Sequence, residues 1–441
     1  MKSESCPLPP IPAWLTEHQY SLELPAYLPE NAMADLLKIA ARAMAMTPPW
    51  YVPAIFGPTL SWLPPHRPLS EFKILNIWKL ARTLQYLLAV SVPSYSHKPG
   101  PWSQTLLPGM IQELFWRPSS YYEHPDTKPI DKPFADEQWF YLNGVATNQA
   151  VAEINAALLS EMFARPITGI HNQTNGLLLD LLECAMGKSF KVDPDLNLDQ
   201  TMTEPAFKAA IILLEALKDP KVSRIVWICH SQGTIITANV LRAISKALRV
   251  LEHKGIREEE KLAPLDRLAL AFLKTEECGI AQAQDSEQRL VQVLGKLEIY
   301  CFANCANVMT PVTKIRQTDG AELGLPFIEN FANEHDLVAR LGIISPLHKP
   351  DNPLINLAGA LYLQQGKSAW GHLLNEHYLY PILDFLSANN NERPNPFAPQ
   401  SADIPPRPRL YSYFQGQRPA PLLSDAQWLR PVGACKPCNK A

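Results

Sequence analysis

Apolar and polar positions divide the 441-residue chain into two textures. From about residue 136 to 390, short unbroken apolar runs alternate with stretches of helical period. Residues 138–142 (Gln-Trp-Phe-Tyr-Leu) form one run, closed by Asn143-Gly144. Residues 166–172, 223–229, 297–302 and 326–331 read as further short strands, with Ile225–Ile228 in an unbroken apolar row. Between them, residues 148–162, 177–184, 203–218 and 231–250 repeat apolar side chains at three- and four-residue spacing. Unbroken apolar runs of four to seven residues predict strands buried on both faces, and the intervening periods predict helices. The order strand, helix, strand predicts an α/β fold: a mostly parallel sheet with helices on both faces. Residues 251–295 are polar and helical in pattern, and predict an insertion on the outside of that sheet.

The flanks read differently. Most of the 42 prolines crowd the first 138 residues and the last 50. Proline fixes its own backbone and drives the preceding residue out of the helical region. Residues 1–135 therefore predict a Pro- and Trp-rich extension, a lid or an apolar wrapping, with helices near 31–46 and 71–90. On the second of these, Lys73, Asn76, Lys79, Arg82 and Thr83 share one narrow polar stripe. Its wide apolar arc suits a helix packed on two sides or one that meets lipid. Residues 391–441 read as an extended Pro-rich tail. The division is 1–135 extension, 136–390 catalytic domain and 391–441 tail.

Charge and composition narrow the function classes. Forty basic and 43 acidic residues leave a net charge of −3, so no overall basic field attracts a nucleic acid. No apolar leader or membrane-length apolar run is visible, and eight scattered cysteines suit a reducing, cytoplasmic setting; export by a signal-independent route stays open. Cys435-Lys436-Pro437-Cys438 is a single CxxC without companion ligands and reads as two free thiols. Met186-Gly187-Lys188-Ser189 ends like a phosphate-binding loop, but Leu182 stands where its first glycine is needed. Neither a cofactor nor a metal is expected.

The sharpest local signal is the run from Ile225 to Thr234, an apolar strand, a turn centred on Ser231, and a helix. This is the setting of a nucleophile elbow. The turn needs small residues two places before and after the serine. Gly233 meets that need on one side, and Cys229 replaces the usual glycine on the other, with His230 between it and Ser231. A serine hydroxyl needs a histidine to take its proton and a carboxylate to orient the ring. Asp336 follows the run at 326–331, where the acid belongs. Two histidines follow it, His372 and His377. Five helical residues turn through about 500°, so the two side chains point about 140° apart and only one can serve. Pro381 predicts a helix that starts near Asn375 as its cap, with His377 in the first turn. His377 is the preferred base and His372 its rival. The backbone N–H of Gln232 and that of Val145, after Asn143-Gly144, are the expected oxyanion donors. His171 and Asn172 sit at another strand end, with a structural role expected.

At these residues the chain resembles an α/β-hydrolase, and more narrowly the class 3 lipases and related serine esterases, including uncharacterised bacterial and fungal hydrolases. The residues that carry the resemblance are His230–Gly233, Tyr300-Cys301-Phe302-Ala303-Asn304, Asn333-x-x-Asp336-x-Val338, His377-x-x-Tyr380, the Asn143-Gly144 turn and the segment 371–379. It spans roughly residues 136–388. It implies an α/β-hydrolase fold and cleavage of carboxylic esters, often lipid esters, through an acyl-enzyme. Substrates would be small-molecule or lipid esters, with peripheral membrane contact as an option. Cys229 and the long Pro-rich extension depart from the family pattern. An acyltransferase would use the same triad, and a non-catalytic interaction protein would use the scaffold alone.

Overall fold

A computed structural model describes residues 67–73, 121–124, 134–144, 147, 149–172, 204–253, 262–280, 286–316, 322–348, 355–366, 369–388, 394–423 and 429–431. Thirteen strands occur among them. In chain order they are β1 (Tyr121–His124), β2 (Glu137–Leu142), β3 (Ile167–Ile170), β4 (Arg224–His230), β5 (Leu297–Phe302), β6 (Val308–Met309), β7 (Thr313–Arg316), β8 (Glu322–Leu325), β9 (Phe327–Asn333), β10 (Asn356–Leu357), β11 (Ala360–Gln364), β12 (Ala398–Pro399) and β13 (Leu429–Pro431). Eight of them form one sheet in the order β1-β3-β2-β4-β5-β9-β11-β12. The six inner strands are parallel, and the edge strands β1 and β12 run antiparallel. Two small sheets, β10-β6 and β13-β7-β8, lie apart from it. The chain is of the α/β class.

The apolar runs form strands because both faces of the sheet are covered. Alternate residues of one strand enter opposite cores, as the two-residue period of a strand requires. Phe140, Leu142, Ile225, Trp227, Cys229, Leu297 and Ile299 belong to one core, with helices α2 (Glu204–Lys218), α3 (Gln232–His253) and α4 (Pro264–Lys274). Trp139, Tyr141, Val226, Ile228, Tyr300 and Phe302 belong to the other, with α1 (Gln149–Phe163) and the helical stretch from Leu374 to Ser387. The remaining helices are α5 (Ser286–Leu294), α6 (Leu337–Arg340), α7 (Ser345–His348) and α8 (Tyr380–Ser387). Among the described residues, no helix is long and apolar enough to cross a membrane.

Several expectations change. Within 251–295, α4 is no outer insertion: Leu265, Leu268, Ala269, Leu270, Phe272 and Leu273 are buried in the first core. The segment misled because charged residues such as Glu258-Glu259-Glu260-Lys261 flank this helix, while its own Asp266 is buried and paired with Lys246 at 2.7 Å. Nor is 391–441 a free tail over its described part. Phe397, Leu410, Tyr411 and Tyr413 are buried in the second core, and β12 pairs with β11. Arg409 and the backbone of residues 417–420 reach the amino-terminal ends of the strands. The prolines there shape a short, closely packed path rather than an extended one. Of the expected helix at 71–90, Glu71–Lys73 forms a 3₁₀ turn and the rest lies outside the described residues. The helices expected at 31–46 and 177–184 lie outside them too.

The sheet order has a reversal at its middle. From β2 the chain moves to β3 on one side, then returns to place β4 on the other. Such a switch point opens a crevice at the carboxyl ends of the strands, where α/β proteins bind ligands. Gly144 follows β2 and Ser231 follows β4 at that crevice.

Candidate active site

Ser231 has φ +55, the left-handed region that a non-glycine residue adopts only under constraint. The constraint is visible in its backbone partners. Its N–H donates to Phe302 O at 3.0 Å, and its carbonyl accepts from Thr234 N at 2.9 Å and Thr234 Oγ1 at 2.7 Å. The turn is as crowded as the elbow pattern requires. A Cβ on Gly233 would lie 2.6 Å from Leu142 O. Cys229, in glycine's usual place, is fully buried and directs its Sγ at Cys301 Sγ, 3.5 Å away on the neighbouring strand. Across the crevice a Cβ on Gly144 would overlap the Ser231 side chain. The β2 turn thus passes directly against the serine. Val145, the expected second oxyanion donor, lies outside the described residues.

Three amides tie this turn together. Asn143 Nδ2 donates to Gly144 O at 2.9 Å and Asn172 O at 2.8 Å, and its Oδ1 accepts from Asn172 N at 2.7 Å. Asn172 Nδ2 donates to Gln232 Oε1 at 2.7 Å. The ends of β2 and β3 and the first residue of α3 are thereby fixed to one another. His171 Nε2 donates to Thr147 O at 3.0 Å, the structural role expected of it.

Asp336 is fully buried, and each of its oxygens has two donors. Oδ1 accepts from Val338 N at 2.8 Å and Ala339 N at 3.3 Å, which makes Asp336 the N-cap of α6. Oδ2 accepts from Tyr378 Oη at 2.6 Å and from His372 Nδ1 at 2.8 Å. The histidine brought onto Asp336 is therefore His372 and not His377. A carboxylate only accepts, so Nδ1 carries the proton, and in the neutral ring Nε2 is the bare nitrogen. Nε2 is buried and has no hydrogen-bond partner. The His372 ring packs against His230, the residue before Ser231, at 4.5 Å between centroids. His230 Nε2 in turn donates to His372 O at 2.9 Å. Burial, reinforced by the neighbouring His372, holds His230 well below the usual histidine range. It stays neutral and serves as a fixed donor.

His377 is occupied elsewhere. Its Nδ1 accepts from Leu373 N at 2.9 Å, closing the loop that carries His372. Burial pushes it down to about 3, with the Asp336 charge opposing and His372 reinforcing. A Cβ on Gly371, which has φ +103, would overlap its ring. The expected helix cap is also corrected. Leu373 is the cap residue, and Leu374–Leu379 is a π-helical stretch that runs into α8. Pro381 gives the physical reason. It has no N–H for the carbonyl of His377, so the helix widens: Tyr380 N bonds Asn375 O, and Asn333 Nδ2 takes His377 O at 3.2 Å. Asn333 Nδ2 also donates to Gly371 O at 3.1 Å. This explains why an asparagine stands three residues before Asp336.

No protein-family model, curated protein or solved structure matches the chain.

The chemistry of the site follows from its own residues. It holds a serine in a strained turn, a buried carboxylate, and an imidazole whose bonded edge faces that carboxylate. Such a set can polarise a hydroxyl and pass its proton. Sequence reasoning missed Tyr378, the second donor to Asp336, because nothing in its spacing separates it from core aromatics. It also missed the contact of His230 with His372, which only the register of β4 against the 369–373 loop creates. Tyr380 Oη accepts from Leu69 N at 3.0 Å, and its ring lies under Arg67.

Proposed function

We propose that the chain is a serine hydrolase with an α/β-hydrolase fold, cleaving carboxylic esters, lipid esters among them, through an acyl-enzyme. The observation that carries this reading is the buried Asp336–His372 pair, whose ring lies against the residue preceding a serine held at φ +55. Ser231 Oγ attacks the acyl carbonyl while His372 Nε2 takes its proton. Asp336 holds the ring in the required tautomer and stabilises the imidazolium that forms. The N–H of Gln232, and that of Val145 beyond the β2 turn, receive the developing oxyanion. His372 then returns the proton to the departing alcohol. A water deprotonated by the same ring releases the acid. His377 closes the His372 loop and takes no part in proton transfer.

The test is labelling by a fluorophosphonate probe, with turnover of a short-chain p-nitrophenyl ester measured alongside. The wild type is expected to label and turn over, and Ser231→Ala to do neither. Persistent labelling of Ser231→Ala would sink the assignment. His372→Ala and His377→Ala discriminate between the two histidines. The first is expected to lose turnover, and the second to melt earlier while the folded fraction stays active.

A further inference from the structure

The helical stretch that follows His372 has no cap of its own. Leu373 contributes no side-chain bond, yet the first amides of any helix need acceptors. Glu71, 304 residues earlier, supplies them. Its Oε1 accepts from Asn375 N at 2.7 Å and its Oε2 from Glu376 N at 3.0 Å. The neighbours of Glu71 bind the same stretch. Asn375 Nδ2 donates to Leu69 O at 2.7 Å, and Ser70 Oγ to Glu376 Oε2 at 2.6 Å. Arg67 holds Asp384 through two bonds of 2.8 and 2.6 Å. The Phe72 ring meets the edge of His377, 6.0 Å between centroids. Ser70, Glu71 and Phe72 are all buried. Residues 67–72 thus lie as a strap along residues 374–384.

We propose that Glu71 is a positioning residue for His372, acting by anchoring the amides that begin three residues after it. This rests on the reading of His372 as the base. The loop at 369–373 has ties of its own: the Asp336–His372 bond, the His230 bond to His372 O, the paired Leu373–His377 bonds, the Asn333 bond to Gly371 O, the bonds of Ala369 to His335 N and Gly366 O, and the stack of Trp370 on His335. The amides that follow it are held by Glu71. A helix start without acceptors frays, and here fraying would carry Leu373 and His372 with it.

The charged and titratable groups that face Glu71 are Glu376 and Tyr380 on the helix and Tyr141 on β2. Burial pushes Glu71 up to about 7; the two amides oppose this and the Glu376 charge adds to it. The charged carboxylate, the better acceptor for two amides, is therefore present above about pH 7 and lost below it.

The test uses the full-length protein and a short-chain p-nitrophenyl ester. Glu71→Gln is expected to lower kcat about tenfold at about pH 8, with KM within about twofold. The ratio of wild type to variant should close toward one by about pH 6, where the wild-type carboxyl is itself protonated. Glu71→Asp, which keeps the charge, should recover part of the loss at the higher pH. A Glu71→Gln variant with wild-type kcat at both pH values overturns the proposal, as does a loss that is the same at both. His372→Ala is measured beside it. If that variant keeps its turnover, the reading of the base fails. If it loses turnover while Glu71→Gln does not, only the strap proposal fails. Should Glu71→Gln not fold, Asp384→Asn cuts the exposed Arg67 end alone; a kcat loss of about twofold is expected, and an unchanged kcat overturns the proposal.

Discussion

At the amino-terminal ends of β2, β4, β5 and β9, the buried carboxylates are held by arginines, hydroxyls or backbone amides. Glu137 accepts from Arg165 at 3.0 Å, Arg224 at 3.1 Å and Arg418 at 3.0 Å. Glu298 receives both nitrogens of the Arg409 fork at 2.9 Å, with the hydroxyls of Tyr300 and Tyr413 at 2.6 and 2.7 Å. Glu329 accepts the amides of Arg409 at 2.7 Å and Leu410 at 3.2 Å. At the carboxyl ends of the same strands most buried polar atoms are neutral, and several of them, His372 Nε2 and His377 Nε2 with Asn172 Oδ1 and Asn333 Oδ1, have no partner. The first end consumes its hydrogen-bonding capacity internally and holds the chain together. The second leaves capacity unspent beside a strained serine. An unsatisfied buried polar atom costs about 1–3 kcal/mol, so the atoms left open at this end cost stability rather than supply it.

Each end also uses a buried carboxylate to hold a distant segment by its backbone. Glu71 ties the strap to the helix after His372, and Glu329 ties residues 409–410 to the sheet. Both are pushed up to about 7, in each case chiefly by burial. The devices match, but one faces the crevice and the other the structural end.

The contrast can be broken most strongly at the crevice. Asp336→Asn would supply an amide where His372 Nδ1–H needs an acceptor, and would turn the ring to the wrong tautomer. Turnover is expected to fall on the order of 10⁴-fold while the melting temperature moves by a few degrees. If turnover fell less than about tenfold, the two ends would not differ in the way described. At the opposite end Glu298→Gln should do the reverse. It leaves the Arg409 fork buried against a neutral partner, and a chemical melt should show a loss of about 3–5 kcal/mol. The kcat of the folded protein should stay within about twofold. A kcat loss matching that of Asp336→Asn would erase the distinction between the ends.

The smallest effect concerns pH. A carboxyl raised by folding binds its proton more tightly in the native state than in the unfolded chain. Glu329 therefore favours the fold below about pH 4.5, and that contribution is lost as pH rises toward about 7. Glu71 acts with the same sign in the same window. Glu329→Gln should flatten the decline in stability between those pH values, by up to about 3 kcal/mol, without moving the pH profile of turnover. Glu71→Gln should flatten it too but also alter that profile. If both variants altered the turnover profile, the two carboxylates would not be confined to different roles.

Much of this architecture was legible because it depends on local pattern. Runs such as residues 225–229 and 299–302 are apolar on successive residues, and only a strand covered on both faces buries them all. The turn at Ser231 was legible because Gly233 and the strand before it leave little choice of geometry. The choice between His372 and His377 was not. It turned on where the helix begins, and the acceptor that stabilises its start belongs to Glu71, far away in sequence. The burial of α4 was hidden because the charged residues on either side of it dominate the composition of 251–295. The path of residues 395–420 was hidden because proline content speaks to backbone stiffness and not to what lies beneath it.

By itself the sequence determined the α/β class, the places of β2, β3, β4, β5 and β9, the strand–turn–helix at Ser231 and the position of Asp336 in the loop after β9. These follow from backbone preference and from periodicity within a few residues. Tertiary structure alone decided that His372 meets Asp336 and that Tyr378 shares the same oxygen. It alone made Glu71 and Glu329 into clamps and filled one end of the sheet with paired charge. Those outcomes depend on which groups burial brings within about 3 Å of each other, and hydrogen-bond reach carries no trace in the spacing of residues along the chain.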